Sequence, residues 1–160
     1  MKYTNEAVRR QDRLLLESRA IELLTEGEFG VLSMCCDDSA AYGIPINYAW
    51  NGNESIYIHS ATEGKKINCL DKNNAVSFCV VGKTNVISEK FTTEFESIIL
   101  QCQAFRNLSD EERMEALMLI VKKYSPNDIK IGEKYAEKSF HRTEIIKLNI
   151  KTWSGKSKTM

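Results

Sequence analysis

The sequence predicts a mainly β fold with helices, an α+β domain built around a small antiparallel barrel, and three observations carry that prediction. Strand-like and helix-like segments follow one another in a mixed order, which excludes a doubly wound parallel sheet. Hairpin signals join short extended segments, and a well-specified helix bridges a longer crossing near the C-terminal third. The chain has 160 residues with 42% apolar and 28% charged residues, the composition of one globular domain rather than a disordered or disulfide-stapled chain. A single domain spanning residues 1–160 is expected, with residues 1–17 as a polar N-terminal arm.

In chain order, Ser18 to Glu26 carries Ile21, Leu23 and Leu24 among good helix formers and stops at Gly27, so a short first helix is expected. Phe29 to Cys36 reads as a strand, Asp37 and Asp38 as a turn, and Tyr42 to Trp50 as the returning extended segment. Asn51-Gly52 supplies residues that tolerate positive φ, so Ser55 to His59 should come back as a third strand. Thr62 to Leu70 turns helical, Asn73-Asn74 breaks it, and Ala75 to Val81 is a strand. Gly82 to Phe95 is polar and lacks a clean period, so a connecting stretch with short strand content is expected before the apolar run Ser97 to Phe105.

Ser109-Asp110-Glu111-Glu112 is a capping box, in which the serine hydroxyl accepts from the third helical amide while Glu112 reaches back. The helix that starts at Asp110 has an apolar stripe of Met114, Leu117, Met118, Val121 and Tyr124, ends near Pro126, and is expected to pack on a sheet. A further helical segment covers Asp128 to Lys138, and Thr143 to Trp153 closes the chain as a strand.

Lys plus Arg and Asp plus Glu number 22 each, so no excess positive charge favours a nucleic-acid partner or an anionic membrane surface. The first residues contain no apolar block resembling a signal or a membrane span, and the expected location is the cytoplasm. Cys35, Cys36, Cys69, Cys79 and Cys102 lack metal-ligand spacing, so no metal site is expected; they are read as reduced thiols without a structural disulfide. No activating neighbour marks a nucleophilic cysteine, and His141 reads as a surface or capping residue.

The stretch His59-Ser60-Ala61-Thr62-Glu63-Gly64-Lys65-Lys66 joins a strand end to a helix start. A hydroxyl, an imidazole, two ammonium groups and free amides at a helix N-terminus suit a phosphate dianion, because dipole and charge-assisted hydrogen bonds add. Two lysines at a helix start are also common on a solvated surface.

Ile44-Pro45-Ile46-Asn47-Tyr48, Ile56 to Ala61 with Gly64-Lys65-Lys66, and Phe95-Glu96-Ser97-Ile98-Ile99 together resemble the nitroimidazole-resistance branch of the pyridoxamine-phosphate-oxidase-like flavoproteins. Arg9-Arg10-Gln11-Asp12-Arg13 and Trp153-Ser154-Gly155-Lys156 resemble the two ends of the same pattern, so the similarity covers nearly the whole chain. The resemblance implies a six-stranded antiparallel split β-barrel of the FMN-binding type, a homodimer with each flavin site lined by both subunits. It places His59 and Ser60 along the ribityl chain and phosphate, with Ala61 also at the cofactor, Lys65 and Lys66 on the phosphate, Asn47 and Tyr48 towards the isoalloxazine ring, Ser97 contacting the cofactor from a further strand, and Trp153 from the partner subunit. Each has a structural alternative: Asn47 as a partner of backbone groups, Tyr48 and Trp153 as core aromatics, and Ser97 as a strand start.

The implied activity is that of an FMN-dependent oxidoreductase, with NADH or NADPH as donor and a small-molecule electron acceptor, nitroaromatics such as 5-nitroimidazoles included. A non-catalytic flavin or haem binding module, and a cofactor-free dimeric scaffold, are the competing readings. Two positions depart from the branch pattern: Glu96 stands where a basic residue is common and Cys102 where a glycine is. An inward Glu96 would oppose a phosphate, and Cys102 would narrow the space over a ring.

Overall fold

The computed structural model describes residues 1–36 and 40–159. In chain order, β1 (Lys2–Tyr3) precedes α1 (Glu17–Glu26), and then come β2 (Gly30–Cys35), β3 (Ala41–Ile46) and β4 (Ala49–Trp50). The chain continues through β5 (Ser55–Ala61), α2 (Lys65–Lys72), β6 (Ala75–Ile87), β7 (Thr92–Phe105), α3 (Asp110–Tyr124), α4 (Ile129–Ser139) and β8 (Thr143–Lys158). Among the described residues, seven strands form one antiparallel sheet in the order β3-β2-β6-β7-β8-β5-β4, and β1 joins it off this path, parallel to β8. No helix among the described residues is long and apolar enough to cross a membrane.

Local chemistry explains most of these elements. Gly27 closes α1 by donating its N–H to the Leu23 carbonyl, and a Cβ there would meet Val80 and the Tyr48 hydroxyl, so the glycine permits a close approach. Asn51 takes the N–H groups of Asn53 and Ser55 on its side-chain oxygen, and Gly52 supplies φ +79, which together turn β4 into β5. Ser109 caps α3 by accepting from the Glu112 amide at 3.2 Å. Glu112 does not reach back; its carboxylate instead accepts from the Tyr57 hydroxyl and from Lys147 Nζ, both at 2.8 Å, because the sheet under α3 offers it those donors. The turn expected at Asp37 and Asp38 lies outside the described residues.

The expected extended segment from Tyr42 to Trp50 is two strands separated by Asn47 and Tyr48. β3 pairs with β2, whereas β4 pairs with β5, so this bent segment touches both ends of the sheet order. One cluster inside the curved sheet contains Leu24, Leu32, Tyr48, Ile58, Phe78, Leu100, Leu148 and Trp153. A second cluster on the outer side places Tyr57 and Ile145 under α3 and α4 through Ala116, Leu117 and Ala136.

Three further findings differ from the sequence expectations. Gly82 to Phe95 is largely a hairpin arm, in which Thr84 to Ile87 pair with Thr92 to Phe95 beyond a bulge after Val81. No residue of the arm's pairs is buried, so no buried face imposes a period-two pattern, and ladder hydrogen bonds chiefly carry the strands. β1 was not expected; Lys2 and Tyr3 lie beside Thr152 and Trp153, and Tyr3 packs edge-on to the Trp153 ring at 4.9 Å.

The third difference is a correction: Cys36 and Cys69 form a disulfide, with Cα atoms 4.5 Å apart and a sequence separation of 33. Docking of α2 against the end of β2 makes this neighbourhood, which no spacing motif encodes. Cys35, Cys79 and Cys102 are free thiols.

Candidate functional site

The functional candidates fall on a strand-to-helix junction, and burial along β5 explains its position. Ser55 to Ile58 are buried, but His59 and Ala61 are exposed and Ser60 is half-buried, so the strand leaves the core where its polar residues begin. Gly64 then adopts φ +125 with no atom near its missing Cβ, a backbone state that strains other residues, and α2 begins at once with Lys65 and Lys66. No side chain caps this helix start, and the first intrahelical N–H to carbonyl bond runs from Asn68 to Gly64. The amides of the first turn therefore point outward beside two ammonium groups.

Electrostatics at the junction favour an incoming anion. Burial lowers the Lys66 pKa, and desolvation followed by the nearby Lys66 charge holds His59 below its ordinary value of 6.5. Both groups are cations, or potential cations, that form no ion pair among the described residues, and a phosphate would supply a counter-ion. Lys65 Nζ lies 4.5 Å from the centroid of the Tyr42 ring on β3, which holds its stem near the helix start.

His59 also borders an apolar cleft of about 330 Å³ between α3 and α4, whose walls include Leu117, Ile120, Val121, Ile131 and Tyr135. Gly132 lets the two helices approach, because a Cβ there would collide with Val121. An apolar cleft adjoining a cationic helix start is shaped for a ligand with a flat apolar body and an anionic tail.

The other expected residues lie elsewhere in the chain. Ser97 pairs in register with Val81 and Lys156, whereas His59 pairs with Ile145, so the two positions are separated by up to about 36 Å along β8 at ordinary strand rise. Close to Ser97, Glu96 lines a cavity of about 500 Å³ together with Arg19, Lys83, Phe95 and Lys158. Arg19 grips the Glu96 carboxylate with two hydrogen bonds at 2.9 and 2.6 Å, which lowers the Glu96 pKa and neutralises its charge. The feared repulsion of a phosphate by a bare Glu96 is thereby removed. Arg19 is 77 residues from Glu96, and no local signal in the sequence connects them.

Three of the residues singled out in the sequence face the core of their own chain. Tyr48 is fully buried; its hydroxyl donates to the Leu24 carbonyl at 2.7 Å, and its backbone N–H and C=O both bond the Tyr124 hydroxyl, so it has no face left for a flavin ring. Trp153 is 2% exposed and belongs to the core of its own chain, so its side chain does not reach towards a partner. Cys102 faces the same core, where burial pushes its thiol up to about 12, and it narrows no ligand space. Asn47 follows the structural alternative, donating to the Glu28 carbonyl at 3.0 Å beside the bend between β3 and β4. Sequence reasoning missed the cleft residues Ile131 and Tyr135, whose four-residue spacing on an expected helix was the available signal, and it missed Lys123. The Lys123 ammonium is buried without a hydrogen-bond partner, lies 3.7 Å from the Tyr48 ring centroid, and has its pKa pushed down to about 8 by burial.

Comparison with known proteins follows the same fold. The sequence profile of the pyridoxamine 5'-phosphate oxidase family matches residues 17–157. No curated protein matches the chain. Among solved structures, it is similar to a candidate 5-nitroimidazole antibiotic resistance protein from Bacteroides thetaiotaomicron, with 19% identity, coverage of 91% of this chain and 86% of that one, and TM-score 0.77. It is also similar to an FAD and haem binding protein from Mycobacterium smegmatis, with 17% identity, coverage of 94% and 75%, and TM-score 0.77. A haem storage protein from Vibrio cholerae matches with 12% identity, coverage of 88% and 94%, and TM-score 0.67.

Proposed function

The chain belongs to the pyridoxamine 5'-phosphate oxidase family, and from that premise we propose that it binds FMN and serves as a flavin-dependent reductase of small electron acceptors. The carrying observation is the uncapped start of α2, where Lys65 and Lys66 adjoin His59 and Ser60. In this reading Lys65, Lys66 and the first-turn amides hold the phosphate, and His59 and Ser60 line the chain that leads away from it. The flavin supplies hydride and electron transfer between NADH or NADPH and an acceptor such as a nitroaromatic compound. The protein supplies binding, orientation and exclusion of water.

The sheet is read as a six-stranded split barrel when β3 and β4 count as one bent strand and β1 as an appended ribbon. β2 and β5, at opposite ends of the remaining order, then both pair with that strand, and the barrel closes. A homodimer is proposed on two grounds. Ser97 and the α2 start are distant within one chain, so a site using both needs two copies. In addition, Val31, Ser33, Ser77, Cys79, Ile99, Gln101, Thr152 and Ser154 alternate outward on β2, β6, β7 and β8 as an uncharged patch bordered by Lys156 beside Ser97, in a chain that is 28% charged.

His59 at the mouth of an apolar cleft supports a second reading, a non-catalytic haem or flavin binding module, in which the imidazole would meet an iron and Lys65 and Lys66 the propionates. An absorbance spectrum of the purified protein decides between them. A flavin spectrum that bleaches with NADH or NADPH and recovers on adding an acceptor supports the reductase. A flavin spectrum that no donor bleaches, or a Soret band that His59→Ala abolishes, supports the binding module.

A further inference from the structure

We propose that Cys36 and Cys69 are a redox-active pair, open to exchange with low-molecular-weight thiols, whose disulfide holds α2 in the position that binds the anion. The inference rests on the reading of α2 as the phosphate-binding helix. Cys36 directly follows β2 and Cys69 lies on the inner face of α2, three and four residues beyond Lys66 and Lys65. The bridge therefore fastens the helix that presents both lysines to the end of a core strand. α2 has eight residues, fewer than an isolated helix needs to hold its shape in water, and it lacks a side-chain cap at its start. Apart from the bridge, its anchors among the described residues include burial of Ile67 and Leu70, the contact of Lys65 with Tyr42 and an ion pair of Asp71 with Arg106 beyond β7. Tyr42 is itself in register with Met34, two residues before Cys36, so the disulfide and the lysine contact anchor α2 to the same end of the β2–β3 pair.

Accessibility sets the order of the exchange. Cys69 is buried at 3% exposure and Cys36 is half-buried, so an incoming thiolate reaches the Cys36 sulfur first. The S–S bond breaks as the new S–S bond forms: Cys36 becomes a mixed disulfide, and Cys69 leaves as a thiolate that takes up a proton. A second thiol attacks the mixed disulfide, releasing Cys36 as a thiol and the small molecule as its own disulfide. Two electrons pass from two small thiols to the protein bridge, and the reverse sequence, with a small disulfide as oxidant, restores it. Loss of the bridge lets α2 move away from the strand end, and the two ammonium groups no longer converge on one anion.

The test uses the full-length protein purified without reductant, one half treated with excess reduced glutathione and both checked by thiol alkylation and mass spectrometry. Amide hydrogen exchange over residues 65–72 and titration with FMN and riboflavin are then compared between the halves. On reduction, exchange in α2 should accelerate by about tenfold or more, and FMN affinity should fall by about tenfold while riboflavin affinity changes little. Cys36→Ser with Cys69→Ser should reproduce the reduced state, and Cys35→Ser should behave as the unaltered protein. Five free thiols in the untreated protein, or unchanged exchange in α2 after the bridge opens, would overturn the proposal. So would faster exchange with unchanged FMN affinity. Absence of FMN binding in both halves would instead overturn the reading of α2 as the phosphate site, and hydrogen exchange would still decide whether the bridge restrains the helix.

Discussion

Lys65 and Lys66 differ from ordinary surface lysines because they begin a helix that no side chain caps, next to a histidine whose protonation is disfavoured by desolvation and by the Lys66 charge. Replacing both with alanine removes two charge-assisted contacts of about 1.5 to 3 kcal/mol each, so FMN affinity should fall at least about tenfold. Riboflavin affinity should hardly change, and a flavin-fluorescence titration with both ligands measures the difference; equal losses for the two would place the phosphate elsewhere. His59 offers a second check. Its folded-state pKa is lower than its ordinary value of 6.5, so the unfolded chain binds the proton more readily. The associated stability is fully present above about pH 6.5 and is lost as pH falls through the folded-state value. Urea denaturation at pH 7.5 and pH 5.5 should therefore show a smaller acid-side loss for His59→Gln than for the unaltered protein.

At the scale of elements, α3 and α4 make the cleft beside His59, and their spacing depends on one residue. Gly132→Ala would drive a methyl group into Val121, so either the helices separate or Val121 leaves its rotamer. The expected cost is about 1 to 3 kcal/mol of stability, read from the urea midpoint, with a change in any ligand spectrum that reports on the cleft. A Gly132→Ala protein as stable as the original would mean that the cleft relaxes freely and does not hold a fixed shape. The start of α3 behaves differently. Ser109→Ala removes the cap and should cost about 1 kcal/mol, because the Glu112 amide loses its acceptor. The capping-box motif was correct about Ser109 and wrong about Glu112, whose carboxylate was drawn to Tyr57 and Lys147 on the sheet.

For the whole molecule, the proposed dimer makes a prediction about the uncharged face. Ile99 is 43% exposed near its middle, in register with Cys79 and Ser154. Ile99→Glu would place an unpaired carboxylate in an interface, at a cost of several kcal/mol, roughly the range for burying one partnerless charge. Sedimentation should show a dimer for the original chain and a monomer for the variant, and flavin binding should weaken with dissociation because Ser97 and the α2 start no longer meet. A variant that stays dimeric would move the interface to another surface. At the tip of the arm formed by β6 and β7, Phe91 is 98% exposed with φ 49.

Sequence alone determined the features whose physics is local. Helix caps, the Asn51-Gly52 turn, the apolar strand runs and the polar junction from His59 to Lys66 depend on neighbours within a few residues, so they were legible before any coordinates. The ordered motifs also carried the family. Tertiary structure decided what depends on residues far apart in the chain. It put Tyr48 and Trp153 inside the core, because alternation reveals that a side chain faces one side of a sheet but not which side a ligand occupies. It matched Arg19 to Glu96 and Cys36 to Cys69, across separations of 77 and 33 residues that no motif spans. It extended β6 and β7 through residues that lack a buried face, since backbone pairing leaves no mark on side-chain pattern when both faces meet water.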